Sequence, residues 1–195
     1  MLPPPPLVLA STSPYRRALL ERLTPDFRIV NPGVDERAQP GETPQACALR
    51  LAAAKAQAVA QTLPEAVVIG SDQVGVAQGA VLEKPRTEAR AREQLARLSG
   101  TTAHFYTACA VIGLRRAVRL SHLETTQVVF RALSTEEIER YIARERPLDC
   151  AGSFKAEALG ITLLQQIDSR DPTALVGLPL IWVAGALRTA GYRLP

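Results

Sequence analysis

LVLASTSPYRR, residues 7–17, carries the first decision about the fold. Leu7-Val8-Leu9-Ala10 is a short apolar run, and beyond it Ala18, Leu19, Leu20 and Leu23 recur at helical spacing. Ser13 is a natural N-cap, and Pro14 at the first helical position loses nothing by its missing N–H. The stretch therefore reads as strand, loop, helix. It also gathers the hydroxyls of Ser11, Thr12 and Ser13, a helix N-terminus, Arg16 and Arg17. Unpaired N–H groups and the helix dipole favour an anion at such a place, and arginine adds bidentate donors. The plainer alternative is a capped helix followed by surface arginines. No GxxxxGK[ST] phosphate loop occurs.

Working outward, Phe27-Arg28-Ile29-Val30 reads as a second strand ending at the turn Asn31-Pro32-Gly33, and Thr43-Pro44 opens a helix over 44–62 whose alanines permit close packing. Ala66 to Gly70 reads as a buried strand with Ser71-Asp72-Gln73 at its end, followed by a hairpin over 74–82. Thr87 caps a helix to Leu98, and Ser99-Gly100 stops it. Extended stretches are expected at 102–113 and 118–130. The capping box Ser134-Thr135-Glu136-Glu137 starts a helix to Glu145, a strand is expected at Ile161 to Leu164, and a last helix over 179–189. Helices and strands mix without a strict alternation, which predicts an α/β fold with a partly antiparallel sheet.

The 195 residues are 47% hydrophobic and 22% charged, values of an ordinary globular chain that exclude a disordered or collagen-like one. The apolar runs stop short of the ~20 residues that span a bilayer. The N-terminal MLPPPPLVLASTS lacks the basic region and apolar length of a secretory signal, so a cytoplasmic location is expected. The formal net charge of +4 is spread without a basic block, which argues against a nucleic-acid partner. Cys47, Cys109 and Cys150 are far apart and in no CxxC pattern, so reduced, buried thiols are expected rather than disulfides or zinc.

Asp72 is the most informative acid. Placed where an apolar strand ends among small residues, it could hold a divalent cation, take a proton from water, or simply close the strand in an Asx-turn. Asp35 and Glu36 form a second acidic pair, metal ligands or turn residues. Lys55, Lys84 and Lys155 are the only lysines among 23 basic residues, and each marks either a place that needs a compact ammonium or nothing at all. Lys84 and Lys155 could pair with phosphate, whereas Lys55 inside an alanine-rich helix reads more simply as a surface residue. His104 and His122 have no ligand-spaced neighbours, and no GxSxG elbow occurs. The residues alone thus reach an anion site built from loops, for phosphate with a metal.

The ordered segments LVLASTSPYRRALLERL, PGVDE, LRLAAAKA, VIGSDQV, EKPRTEARAREQL, YTACAVI, PLDCAGSFKAEALGI and VGLPLIWV closely resemble the Maf family of nucleoside triphosphate pyrophosphatases. The resemblance implies one domain over 1–195, with an elongated curved mixed sheet flanked by helices and two lobes around a cleft. Into that cleft STSPYRR, Glu36, Asp72, Lys84 and residues 152–157 would converge. It implies cleavage between the α- and β-phosphates of a nucleotide, with a divalent metal such as magnesium or manganese. Asp72 matches the catalytic carboxylate, with Asp72 and Glu36 as metal ligands, and Ser11, Arg16, Glu36, Lys55 and Lys84 match phosphate- and metal-handling positions, with Lys155 as an addition. Tyr15, Gln73 and Glu157 match the positions that separate branches, and their pattern is similar to the branch that hydrolyses 7-methyl-GTP. N7-methylation makes guanine cationic, so the ring of Tyr15 would attract it and Glu157 would accept its N1–H and exocyclic amine. Activity on dTTP, UTP or other modified nucleotides, or a nucleotide-binding role in arrest of septum formation, are the alternatives. The implied partner is a small nucleotide, with neither nucleic acid nor membrane, and the resemblance admits a homodimer.

Overall fold

A computed structural model describes residues 5–195; the first four residues of the segment read above for a targeting signal lie outside the described ones. The opening strand and helix form as their residues dictate: β1 spans Leu7–Ala10 and α1 Pro14–Glu21, with Ser13 Oγ accepting from the Arg16 N–H. Thr43, Thr87 and Ser134 cap three further helices in the same way, α2 (Pro44–Thr62), α3 (Glu88–Leu98) and α4 (Thr135–Glu145), the last through a complete capping box with Glu137. The final helix, α5 (Leu180–Thr189), follows Pro179 and takes its caps from afar. Asp171 Oδ2 accepts from the Ile181 N–H at 2.7 Å and Thr173 Oγ1 from the Leu180 N–H at 2.8 Å.

The strands β2 (Arg28–Ile29), β3 (Val67–Ala77), β4 (Ala80–Leu82), β5 (Thr102–Gly113), β6 (Val118–Phe130) and β7 (Leu164–Asp168) join β1 in one open mixed sheet. Its order is β2-β1-β3-β5-β6-β7, with β4 paired on β3. β1 runs parallel to both β2 and β3, whereas β3–β4 and β6–β7 are antiparallel. Three expectations need correction. The second strand is only two residues long, and of the strand expected at Ile161 to Leu164 only Leu164 is extended, because Leu159–Leu163 form a 3-10 helix before β7. Most consequentially, Ser71-Asp72-Gln73 does not end a strand but lies inside the eleven residues of β3.

The described contacts fall into two compact units, one holding residues through Gln73 with Thr107–Glu124 and Asp171–Pro195, the other Val74–Tyr106 and Thr125–Arg170. In the first, alternation sorts the strand residues onto two faces. Leu7, Leu9, Val67, Ile69, Cys109 and Val111 pack against Leu19 and Leu20 of α1 and Leu180, Val183 and Leu187 of α5. The opposite face meets α2 at very short range. A Cβ on Gly70 would stand 2.3 Å from the Ala52 carbonyl oxygen and 2.6 Å from the Ala56 nitrogen, so glycine in the strand and alanine in the helix are one device. In the second unit, Phe154 meets Phe105 and Phe130 edge-on at ring separations of 5.6 and 5.2 Å.

None of the three cysteines is in a disulfide; Cys47 and Cys109 are buried as expected, and Cys150 is half-buried. Burial pushes the Cys109 thiol up to about 12, and burial also raises that of Cys47. A raised thiol pKa keeps the unreactive protonated form in mildly alkaline buffer. Titration with an aromatic disulfide at about pH 8 is expected to modify Cys150 quickly and the other two only after denaturation. Rapid loss of all three would contradict the packing around Cys47 and Cys109.

Candidate active site

β1 ends while β3 continues, and their register pairs Ala10 with Gly70, so Ser11 and Asp72 follow just beyond the last parallel pair. The carboxyl ends of parallel strands are where open α/β sheets bind ligands. β3 runs on through three polar residues because each side chain has a partner. Ser71 Oγ lies 2.8 Å from both the Ala108 and Gly177 carbonyl oxygens, Asp72 meets Lys55, and Gln73 meets Thr107.

Lys55 is the surprise of the site. It is not a surface lysine: only 4% of it is exposed, because the turn of α2 from Ala52 to Ala56 that bears it lies against Gly70 of the sheet. Its Nζ sits 2.7 Å from Asp72 Oδ1 and 2.6 Å from Glu36 Oε1. A buried ammonium needs a carboxylate partner, and Lys55 has two, so losing one leaves the other to compensate it. Asp35 and Glu36 accordingly part company. Asp35 turns to Arg37, whose hydrogen bonds hold its carboxyl down at about 2, while Glu36 reaches into the site.

Arg16 completes the cluster. Its Nε donates to the Gly177 carbonyl oxygen at 2.9 Å and its Nη1 to Ser11 Oγ at 3.4 Å. Desolvation lowers its pKa, against the opposing pull of Asp72, Cys109 and Glu36. The side chains of Ser11, Arg16, Glu36, Lys55 and Asp72 thus form one connected set of two cations, two carboxylates and a hydroxyl, next to the first turn of α1, where Tyr15 stands half-buried. Among the described residues no group of three His, Cys, Asp or Glu side chains could hold a metal ion. His122 instead stacks on Trp182 at 5.3 Å, with Nε2 3.2 Å from Glu124 Oε2.

Reading by sequence alone missed two supports. Arg50 pairs with Glu42 at 2.6 Å and donates to the Arg37 carbonyl at 3.1 Å, which ties the loop bearing Glu36 to α2. The segment 171–178 supplies the carbonyls that hold Arg16, Ser71 and Gln73. Neither contact has a local pattern; the GLPL at 177–180 was the one visible hint. Of the other expected positions, Lys84, Lys155 and Glu157 belong to the second unit. Lys84 and Glu157 are exposed, and Lys155 Nζ stands 3.5 Å from Glu145 Oε1.

A family model for Maf-like proteins matches residues 6–190. The chain belongs to the Maf family. This Maf chain is 56% identical over 191 residues to a 7-methyl-GTP pyrophosphatase of Xanthomonas axonopodis pv. citri (strain 306), covering 98% of this chain and 100% of the relative. Proteins of the same name from Polaromonas sp. (strain JS666 / ATCC BAA-500) and Aromatoleum aromaticum (strain DSM 19018 / LMG 30748 / EbN1) are 54% and 53% identical, each over 97% of this chain and over 86% and 97% of their own lengths. Among the described residues no helix is long and apolar enough to cross a membrane.

Proposed function

We propose that this Maf protein hydrolyses 7-methyl-GTP to 7-methyl-GMP and pyrophosphate. The observation that carries the reading is the buried Lys55–Asp72 pair, joined by Glu36 and flanked by Arg16 and Ser11 at the carboxyl ends of β1 and β3. The names of relatives identical at more than half of their positions support the choice of nucleotide.

Lys55 engages Oδ1 of Asp72, which leaves Oδ2 to take a proton from the attacking water. The water oxygen bonds to the α-phosphorus, the bond from that phosphorus to the α–β bridging oxygen breaks, and the pyrophosphate departs with the electron pair. Arg16 and Lys55 stabilise the charge that builds on the transferring and leaving phosphates. Two oxygen-donor carboxylates fit a hard divalent ion that completes its shell with phosphate oxygens and water. Asp72 and Glu36 would hold magnesium or manganese, which when bound supplies further neutralisation of the phosphate oxygens.

For the base, Tyr15 on the first turn of α1 is suited to a cationic ring, an interaction of about 0.5–2 kcal/mol. Gln73 and Glu157 are the other two positions assigned to selectivity. The test is pyrophosphate release from 7-methyl-GTP, GTP, dTTP and UTP with magnesium or manganese, in the wild type and in Glu157→Gln. The methylated purine is expected to be preferred at least tenfold by the wild type and less by the variant. A wild-type preference for dTTP or UTP would refute the substrate, and no turnover of any would refute the enzyme.

A further inference from the structure

The sheet face opposite Asp72 carries contacts that the hydrolysis described above does not use. Gln73 Nε2 lies 2.9 Å from Thr107 Oγ1, 3.1 Å from the Ala174 carbonyl oxygen and 3.0 Å from that of Leu175. Thr107 is fully buried, and its own hydroxyl donates to the Ala174 carbonyl at 2.9 Å, so toward Gln73 it accepts. Every neighbour of the amide nitrogen is therefore an acceptor. That fixes which way the amide is turned and commits both of its hydrogens to the protein.

The backbone held in this way presents one more carbonyl, that of Gly177, which accepts from Ser71 Oγ at 2.8 Å and from Arg16 Nε at 2.9 Å. At its other end the segment is tied to α5 by Asp171, 3% exposed, which accepts from the Thr173 and Ile181 N–H groups. A guanidinium is planar, so holding Nε on Gly177 and Nη1 on Ser11 sets the direction of its remaining donors.

We propose that Gln73 and Thr107 are positioning residues for Arg16: they pin the backbone at 174–177, and the Gly177 carbonyl then orients the guanidinium that meets the phosphates. Both amide hydrogens of Gln73 are thereby spent on Thr107 and on backbone oxygens. The positioning role rests on the reading of Arg16 as a phosphate ligand.

Inorganic pyrophosphate has no base and separates the two modes of action. Its binding, with magnesium, is measured by calorimetry on wild type, Gln73→Met, Thr107→Val, Thr107→Ser and the Met/Val double variant, with thermal melts to establish folding. Gln73→Met and Thr107→Val are expected to bind pyrophosphate about five- to tenfold more weakly, as the loss of one or two uncharged hydrogen bonds implies. The nucleotide KM is expected to rise by the same factor, the double variant to be no worse than either single one, and Thr107→Ser to behave as wild type. Folded variants with unchanged pyrophosphate binding and altered base selectivity would overturn the proposal. If the wild type binds no pyrophosphate, the phosphate-ligand reading of Arg16 fails, and the positioning itself is read from the Arg16 Nε–H resonance by NMR. That resonance is expected to be protected from exchange in wild type and broadened in Gln73→Met, the more exposed of the two positions, even if Thr107→Val does not fold. An unchanged resonance in a folded variant would sink the idea.

Discussion

Asp72→Asn is expected to lower kcat for pyrophosphate release by about 10²–10⁴-fold, the range for loss of a positioned general base. The substitution keeps the shape of a side chain that is 8% exposed and buried under α2, so the strand has no steric reason to move. It removes the charge that faces Lys55 at 2.7 Å, and it puts an amide nitrogen where one carboxylate oxygen stood. Glu36 still reaches Lys55 at 2.6 Å, which keeps the buried ammonium partly compensated and the protein folded. Nucleotide KM is expected to change by less than the turnover, since Arg16 and Lys55 remain to bind phosphate. Steady-state kinetics on a variant with a normal thermal melt is the check; turnover within threefold of wild type would remove Asp72 from the chemistry.

Gly70→Ala is expected to damage both stability and activity. The new methyl would stand 2.3 Å from the Ala52 carbonyl oxygen, 2.6 Å from the Ala56 nitrogen and 2.9 Å from the Ala56 Cβ. Two of those atoms are backbone, so no side chain can swing aside and α2 itself must retreat. Overpacking of this kind costs about 1–3 kcal/mol. The consequence for activity is larger than that figure suggests, because Lys55 sits on the turn of α2 between Ala52 and Ala56 and moves with it. A shift of about 1 Å in a reacting group can cost of the order of 10²-fold in rate. Chemical denaturation and kinetics together test the coupling. A folded Gly70→Ala protein with wild-type turnover would show that the approach of α2 to β3 does not set the Lys55–Asp72 distance.

Both effects bear on how much of the site could be read from residues in order. Ser11, Arg16, Glu36 and Asp72 were found as candidates because each stands in a local pattern: a hydroxyl cluster, a helix start, an acidic loop, a polar break in an apolar run. Lys55 had no such pattern. A lone lysine among alanines looks like a solvated helix face; its rarity among the basic residues made it a candidate, and the resemblance to the Maf family placed it at a phosphate- and metal-handling position. What buries it is Gly70, fifteen residues away, and the information is shared between two elements that neither reveals alone.

Elements that depend on near neighbours in the chain are legible in the order of residues. Four helix starts were legible because a side-chain cap and its N–H lie within three residues of one another, as at Ser13, Thr43, Thr87 and Ser134. The two long strands at 102–113 and 118–130 were legible from their length, and the family from motifs in fixed order. Tertiary structure alone decided the rest. It carried β3 through Ser71-Asp72-Gln73, because partners in α2, β5 and the 174–177 segment satisfy each polar group, where isolated residues of that kind would end a strand. It also capped α5 from Asp171 and turned Arg16 onto Gly177. Such contacts join residues as many as 161 positions apart, and a hydrogen bond formed only after the chain has packed leaves no periodic trace in the order of its residues.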